Sequence, residues 1–266
     1  MTSRKSVPDE RVASWSQLMD RLYADAWTPT IRRFRPPVAF RGMADASFLL
    51  NTSLMRLGNG YTCSEGHLLR NFRKYAVGRV PHHESFWYWL AIAQHHGLPT
   101  RLLDWTFSPF VALHFVTAST ELYDRDGVIW CIDYKKVHQQ VPESLRVLLD
   151  SEGADVFTVD MLNQIQSLPD FDTLAREPFA LFFDPPSIDE RIVNQYAMFS
   201  IVSDARVGLG QWLEERPTMY RKLIIPAELK WEIRDKLDQA NINERVLFPG
   251  LDGLSQWLRR QYIQLD

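Results

Sequence analysis

The residues equipped for chemistry crowd into one stretch, Gln94-His95-His96-Gly97-Leu98-Pro99-Thr100-Arg101-Leu102-Leu103-Asp104-Trp105-Thr106. It holds two imidazoles, an amide, a guanidinium, a carboxylate, an indole and two hydroxyls. A further guanidinium stands upstream in Phe40-Arg41-Gly42; as a permanent cation with a planar fork of donors, Arg41 is suited to phosphate. Apolar sequence flanks the stretch, from Phe86 to Ala93 before it and from Pro109 to Phe115 after it. Polar groups set between core-forming segments are drawn inward, where each must find a partner or cost free energy. The stretch is therefore either a satisfied structural network or a functional site. Asp104, between Leu103 and Trp105, is expected to be buried beside a backbone donor or a cation, with Arg41 or Arg101 as the candidate.

The elements that position these groups can be read from the same residues. Trp87, Leu90, Ala91 and Gln94 recur at helical spacing, so a helix ends near His96 with Gly97 as its left-handed cap. Pro99 stops any continuation, and Thr100 to Asp104 is expected to form a short strand, with Arg101 and Leu103 on one face and Thr100, Leu102 and Asp104 on the other. Ser108-Pro109 starts the next helix. Val38-Ala39-Phe40 reads as a strand that delivers Arg41 to its end, where Gly42 permits close approach of another chain or a ligand. Further along, Ser64 is expected to cap a helix through Leu68, Leu69, Phe72 and Tyr75, and strands are expected at Val128–Ile132, Phe179–Phe183, Met198–Val202 and Leu223–Ile225. Helices carry Leu229, Ile233 and Leu237, and then Leu254, Trp257 and Leu258. With no repeat and no linker, the 266 residues are expected to form one α+β domain, a small mixed sheet of short strands flanked by helices, with an N-terminal helical part at about 9–34 carrying Val12, Trp15, Leu18, Met19 and Leu22.

Composition excludes more than it selects. A net charge of -3 leaves no nucleic-acid footprint on the whole chain. No stretch approaches the roughly eighteen uncharged apolar residues of a membrane span, and no apolar run follows Met1-Thr2-Ser3-Arg4-Lys5-Ser6, so a cytoplasmic, reduced setting is expected for Cys63 and Cys131. Cys131 lies in an apolar strand and reads as a core thiol. His82-His83 are adjacent and so point apart, no His-x-x-x-His occurs, and no cysteines cluster, so no metal is expected. A dinucleotide fingerprint is absent, since Gly208-Leu209-Gly210 is followed by Leu213 in place of a third small residue. Neither a phosphate-binding Gly-Lys-Ser/Thr nor a Gly-x-Ser-x-Gly elbow is present.

Phe40-Arg41-Gly42 together with the stretch from Gln94 to Thr106 resembles the FRG-domain family, and Pro109 with Ala112-Leu113-His114-Phe115 continues the pattern. Gly127-Val128-Ile129-Trp130, Arg191 with Gln195 and Phe199, and Leu247-Phe248-Pro249-Gly250-Leu251 extend the resemblance to roughly residues 35–255; Ala197 departs from it, standing where the pattern has glycine. The order of elements is more distantly similar to the ADP-ribosyltransferase superfamily of the arginine-serine-glutamate type. That likeness implies NAD as substrate, and a transferase or NAD glycohydrolase of the kind found among toxin and defence effectors. It places Arg41 on an NAD phosphate or ribose and Thr100 and Thr106 on the polar second strand, although the Ser-Thr-Ser of that strand is absent. Glu190 then serves as the late carboxylate, with Asp189 next, beside the FRG-pattern residues Arg191 and Gln195. Breaking the glycosidic bond of NAD develops positive charge on the ribose, which a carboxylate would stabilise. The remaining ligand contacts fall to Gly42, Gln94, His95, His96, Arg101, Asp104 and Trp105, the last stacking on nicotinamide or adenine.

On this reading Arg41, Thr100, Arg101, Asp104 and Arg191 converge on one cleft beside His95 and His96. Two other classes stay open. One is a module that binds or modifies nucleic acid through Arg32, Arg33 and Arg35 of the basic connector; the other is a non-catalytic interaction domain in which the polar stretch is scaffolding.

Overall fold

The computed structural model describes residues 9–80 and 83–263, so Met1–Ser6, Pro81 and His82 lie outside the described residues. Ten strands are described: β1 (Glu10–Arg11), β2 (Trp27–Thr28), β3 (Arg33–Phe34), β4 (Val38–Met43), β5 (Leu103–Thr106), β6 (Gly127–Asp133), β7 (Phe157–Thr158), β8 (Ala180–Asp184), β9 (Ala197–Val202) and β10 (Tyr220–Ile225). The helices of the first half are α1 (Trp15–Leu22), α2 (Tyr61–Ala76), α3 (Phe86–His95), α4 (Pro109–Val116), α5 (Tyr134–His138) and α6 (Glu143–Glu152). Those of the second half are α7 (Val159–Leu162), α8 (Leu168–Asp172), α9 (Glu190–Asn194), α10 (Leu209–Glu214), α11 (Lys230–Gln239), α12 (Glu244–Leu247) and α13 (Leu251–Gln261). The architecture is α+β. Segment 9–34 is not wholly helical, because β1 joins the main sheet and β2 pairs with β3 in a separate ribbon.

Eight strands form one mixed sheet in the order β1-β10-β6-β4-β5-β9-β8-β7. Only the outermost pairs, β1 with β10 and β7 with β8, are parallel. Side chains alternate across this sheet as strand geometry requires. Leu181 and Phe183 of β8, with Phe199 and Ile201 of β9, pack into a cluster built on α3, whose Trp87 and Leu90 are almost fully buried. Ala180, Phe182 and Met198 face the other way, toward Trp130, Trp212 and Tyr220. Phe40, Ile129, Cys131 and Leu223 meet α1, α4 and α11 in a third cluster. Burial pushes the Cys131 thiol up to about 12, so it is a core thiol without nucleophilic use.

Two features of β4 and β5 set the site. First, Gly42 passes directly under α4: a Cβ there would sit 1.8 Å from the Ala112 carbonyl oxygen, so only glycine lets strand and helix close. The close approach is to the chain's own helix. Second, β4 and β5 share a single register pair, Phe40 with Thr106, whereas β4 pairs with β6 over six residues and β5 with β9 over four. The sheet therefore splits after that pair, and Arg41 and Gly42 diverge from Trp105 and Asp104. The predicted strand at Thr100–Asp104 begins instead at Leu103, and Arg41 lies within its strand, not at the end. The helix expected to be capped by Ser64 starts at Tyr61 after Gly60.

Candidate functional site

The split opens into a cleft of about 680 Å³. Its walls include Arg41, Gly42, Arg56, Gln94, His95, His96, Asp104, Trp105, Thr106, Arg191 and Gln195. Each is held by an identifiable local device. α3 ends as expected, with Gly97 at φ +80°, which leaves Gln94, His95 and His96 at the cleft edge. Ser108 caps α4 by accepting from the Val111 N–H, and the Thr106 hydroxyl donates to the Gln195 carbonyl oxygen at 2.7 Å, tying β5 to the end of α9. Tyr196, at φ +47°, takes the left-handed turn into β9, so the backbone bend falls one residue before Ala197.

Arg41 reaches across the opening. Its Nη1 donates to the Asp104 carbonyl oxygen at 2.5 Å and stands 4.0 Å from the Asp104 carboxylate. Burial lowers its pKa, Asp104 opposes that shift and Arg56 adds to it, yet a guanidinium stays charged. Arg191 lies over the Phe248 ring, 5.1 Å from its centroid. In both arginines the Nε–H is buried without an acceptor. Phe248 is itself held by a buried charged network. His114, which burial and then Arg234 push down to about 3, accepts from Arg234, and Arg260 binds Glu244 and Asp238 across α11 to α13. The Gln195 amide is spent on the Leu247 carbonyl oxygen, so it braces the C-terminal segment against α9.

Several expectations are corrected here. Asp104 is not buried: its side chain is 59% exposed, because Leu103 and Trp105 face the core and alternation turns Asp104 outward. It accepts from the Gln94 amide at 3.0 Å. Asp104→Ala is therefore expected to cost under about 1 kcal/mol, as for an exposed pair, and not the larger penalty of a buried one. A melting temperature that falls as far as for a core substitution would show otherwise. Thr100 is fully buried behind the wall, donating to Gln94 and hydrogen-bonded to Ser53, so it supports the site without lining it. Arg101 points away from the cleft into a buried triad with Glu65 and Asp172. Trp105 packs against Phe182 with its indole N–H on the Ser200 hydroxyl, so its ring is core and not a stacking platform. Glu190 is exposed at the start of α9 and is not among the cleft walls. Neither are Arg32, Arg33 and Arg35, which lie exposed around the β2–β3 ribbon.

The sequence reading missed Arg56, whose Nη1 donates to the Asn51 carbonyl oxygen at the cleft edge, and the pairing of His95 with Asp189 at 2.5 Å. The capping signature of Asp189 before Ile192 is visible in the sequence; its distant partner is not. Among the described residues no group of three or more His, Cys, Asp or Glu is placed to hold a metal ion, and no helix is long and apolar enough to cross a membrane. Residues 36–125 match the family model of the FRG domain, so an FRG domain is present in this chain. The match spans β4, β5 and α4, and with them Arg41 and the whole Gln94–Thr106 stretch. No curated protein and no solved structure matches the chain.

Proposed function

We propose that this FRG-domain protein binds NAD or a related nucleotide in the cleft between β4 and β5 and acts on it as an ADP-ribosyltransferase-like enzyme. One observation carries the reading: Arg41 and Arg191 line the same cleft, and the buried Nε–H of each has no acceptor among the described residues. Arg56, another wall of the cleft, adds to the cost of the Arg41 charge, and an anion relieves it; a pyrophosphate with its bidentate acceptors suits two arginine forks. The cleft volume lies within the range of small-molecule sites. The three segments that the superfamily likeness requires, β4 with Arg41, the polar β5 and the strand after the acidic segment, β9, are neighbours in the sheet.

The carboxylate differs from the one the superfamily likeness implies. Asp104, beside Arg41 in the cleft wall, takes the place of Glu190 as the group that faces positive charge developing on the ribose. Calorimetry with NAD, followed by mass spectrometry for released nicotinamide, tests the proposal. A saturable heat and nicotinamide release are expected; a protein that gives no heat with NAD overturns it.

A further inference from the structure

His95, the last residue of α3, faces the cleft with a side chain only 8% exposed. Its Nε2 lies 2.5 Å from one carboxylate oxygen of Asp189. The other oxygen accepts from the Ile192 N–H at 3.0 Å, capping α9, so the carboxylate is fixed from both sides. Burial alone would raise the Asp189 pKa, but the N–H groups at the start of α9 and the imidazole together hold it below the ordinary range. An ionised carboxylate only accepts, so in the neutral imidazole the proton sits on Nε2. Nδ1 is then the acceptor. It hydrogen-bonds to no described residue, and it is not among the sealed, unpartnered atoms, so it is open to the cleft. An imidazole held in one tautomer by a carboxylate, with its basic nitrogen turned to a ligand cleft, is the arrangement that proton abstraction requires.

We propose that His95 is the general base of the cleft and that Asp189 is its positioning residue. The proposal rests on the NAD reading above. In the step it assigns, a water or hydroxyl O–H gives its proton to Nδ1 while the oxygen lone pair forms a bond to C1′ of the nicotinamide ribose. The C1′–N bond breaks, and its electron pair returns to the nicotinamide ring, neutralising the pyridinium. With water the products are ADP-ribose, nicotinamide and one proton, which the imidazolium later releases to solvent. The groups facing His95 are Asp189 and Arg191 from the start of α9 and His96 from its own turn. Burial lowers the His95 pKa most, Asp189 opposes this, and Arg191 and His96 add to it, so the ring is in its basic form at neutral pH.

The alternative, that the pair merely clips α3 to α9, predicts a different outcome. His95→Gln keeps an N–H toward Asp189 but has no basic nitrogen. Using NAD and water as the probe, we expect NAD affinity close to wild type, a fall in kcat of ~100-fold or more, and loss of the acid limb of the pH profile. Asp189→Asn preserves the helix cap but removes the charge that raises the imidazole pKa. Its acid limb therefore moves to lower pH, with a smaller fall in kcat. A His95→Gln variant that binds NAD and turns it over like the wild type overturns the base while the NAD reading stands. A wild type that binds NAD without releasing nicotinamide overturns the base together with the catalytic part of that reading, and leaves only NAD binding standing. If the glutamine variant does not fold, an acid limb unmoved in Asp189→Asn overturns the proposal. A wild type that gives no heat with NAD overturns the base and the NAD reading together.

Discussion

Arg101→Ala lowers stability by roughly 3–5 kcal/mol, the range for breaking a buried ion pair, and the thermal midpoint drops on the order of 10 °C. The side chain is buried and spends its whole fork on the protein. Nε and Nη2 donate to the Glu65 carboxylate at 2.6–2.9 Å, and Nη1 donates to Asp172 at 2.5 Å. Glu65 sits within α2 with 4% of its side chain exposed, so it cannot turn to water when the guanidinium is removed. Asp172, 34% exposed at the end of α8, can. The penalty is therefore that of one stranded carboxylate in an apolar neighbourhood that includes Leu69 and Leu102. Arg101→Lys keeps a charge but cannot bridge two carboxylates with a planar fork, so it recovers only part of the loss. Because the triad lies outside the cleft, NAD binding by the folded protein is expected to be unchanged. A melt that hardly moves in Arg101→Ala would show that the triad contributes nothing net.

The same arginine shows where local reading stops. Helix ends and caps are decided within a few residues, so Gly97 after α3 and Ser108 before α4 are visible in the chain itself. The apolar runs that became β6, β8 and β9 are equally plain. Residues 100–102 read as strand because Pro99 ends the helix before them and extended chain is the simplest continuation, yet the Thr100 hydroxyl accepts from the Leu102 N–H and the Thr100 backbone is bound to Ser53 and Leu54. That local turn delays the strand to Leu103 and swings Arg101 off the face that alternation assigns it. Its partners are 36 and 71 residues away, as the partner of His95 is 94 away, and no spacing rule reaches them. Asp104 fails for another reason. Its apolar neighbours in sequence lie on the opposite face of β5, so flanking hydrophobicity says nothing of its own exposure. The convergence of Arg41, Asp104, Arg191, His95 and His96 was legible only through motif resemblance, whereas the split that makes room for a ligand lies in the pairing of β4 with β5.

Arg41→Ala is expected to weaken NAD binding roughly 10- to 100-fold while moving the melting temperature little. Among the described residues the Arg41 side chain makes a single hydrogen bond, to the Asp104 carbonyl oxygen, worth about 1 kcal/mol net. Its approach to the Asp104 carboxylate is 4.0 Å, and that carboxylate is exposed and already held by Gln94, so removing the arginine strands no buried charge. Arg41 lines the cleft, where a charge-assisted contact from its guanidinium to phosphate carries about 1.5–3 kcal/mol, or roughly 10- to 100-fold in affinity. Arg41→Lys preserves the charge and loses the fork, so it is expected to bind NAD more weakly than wild type and more tightly than Arg41→Ala. If Arg41 were instead a lock between the two halves of the split sheet, the ordering would invert. Arg41→Ala would then melt far below wild type, and Arg41→Lys would restore most of the stability. Any NAD heat would survive in whatever fraction stayed folded. Differential scanning and NAD titration on the same three proteins separate the two cases. A large drop in melting temperature with NAD binding intact would remove Arg41 from the ligand site and return the cleft to scaffolding.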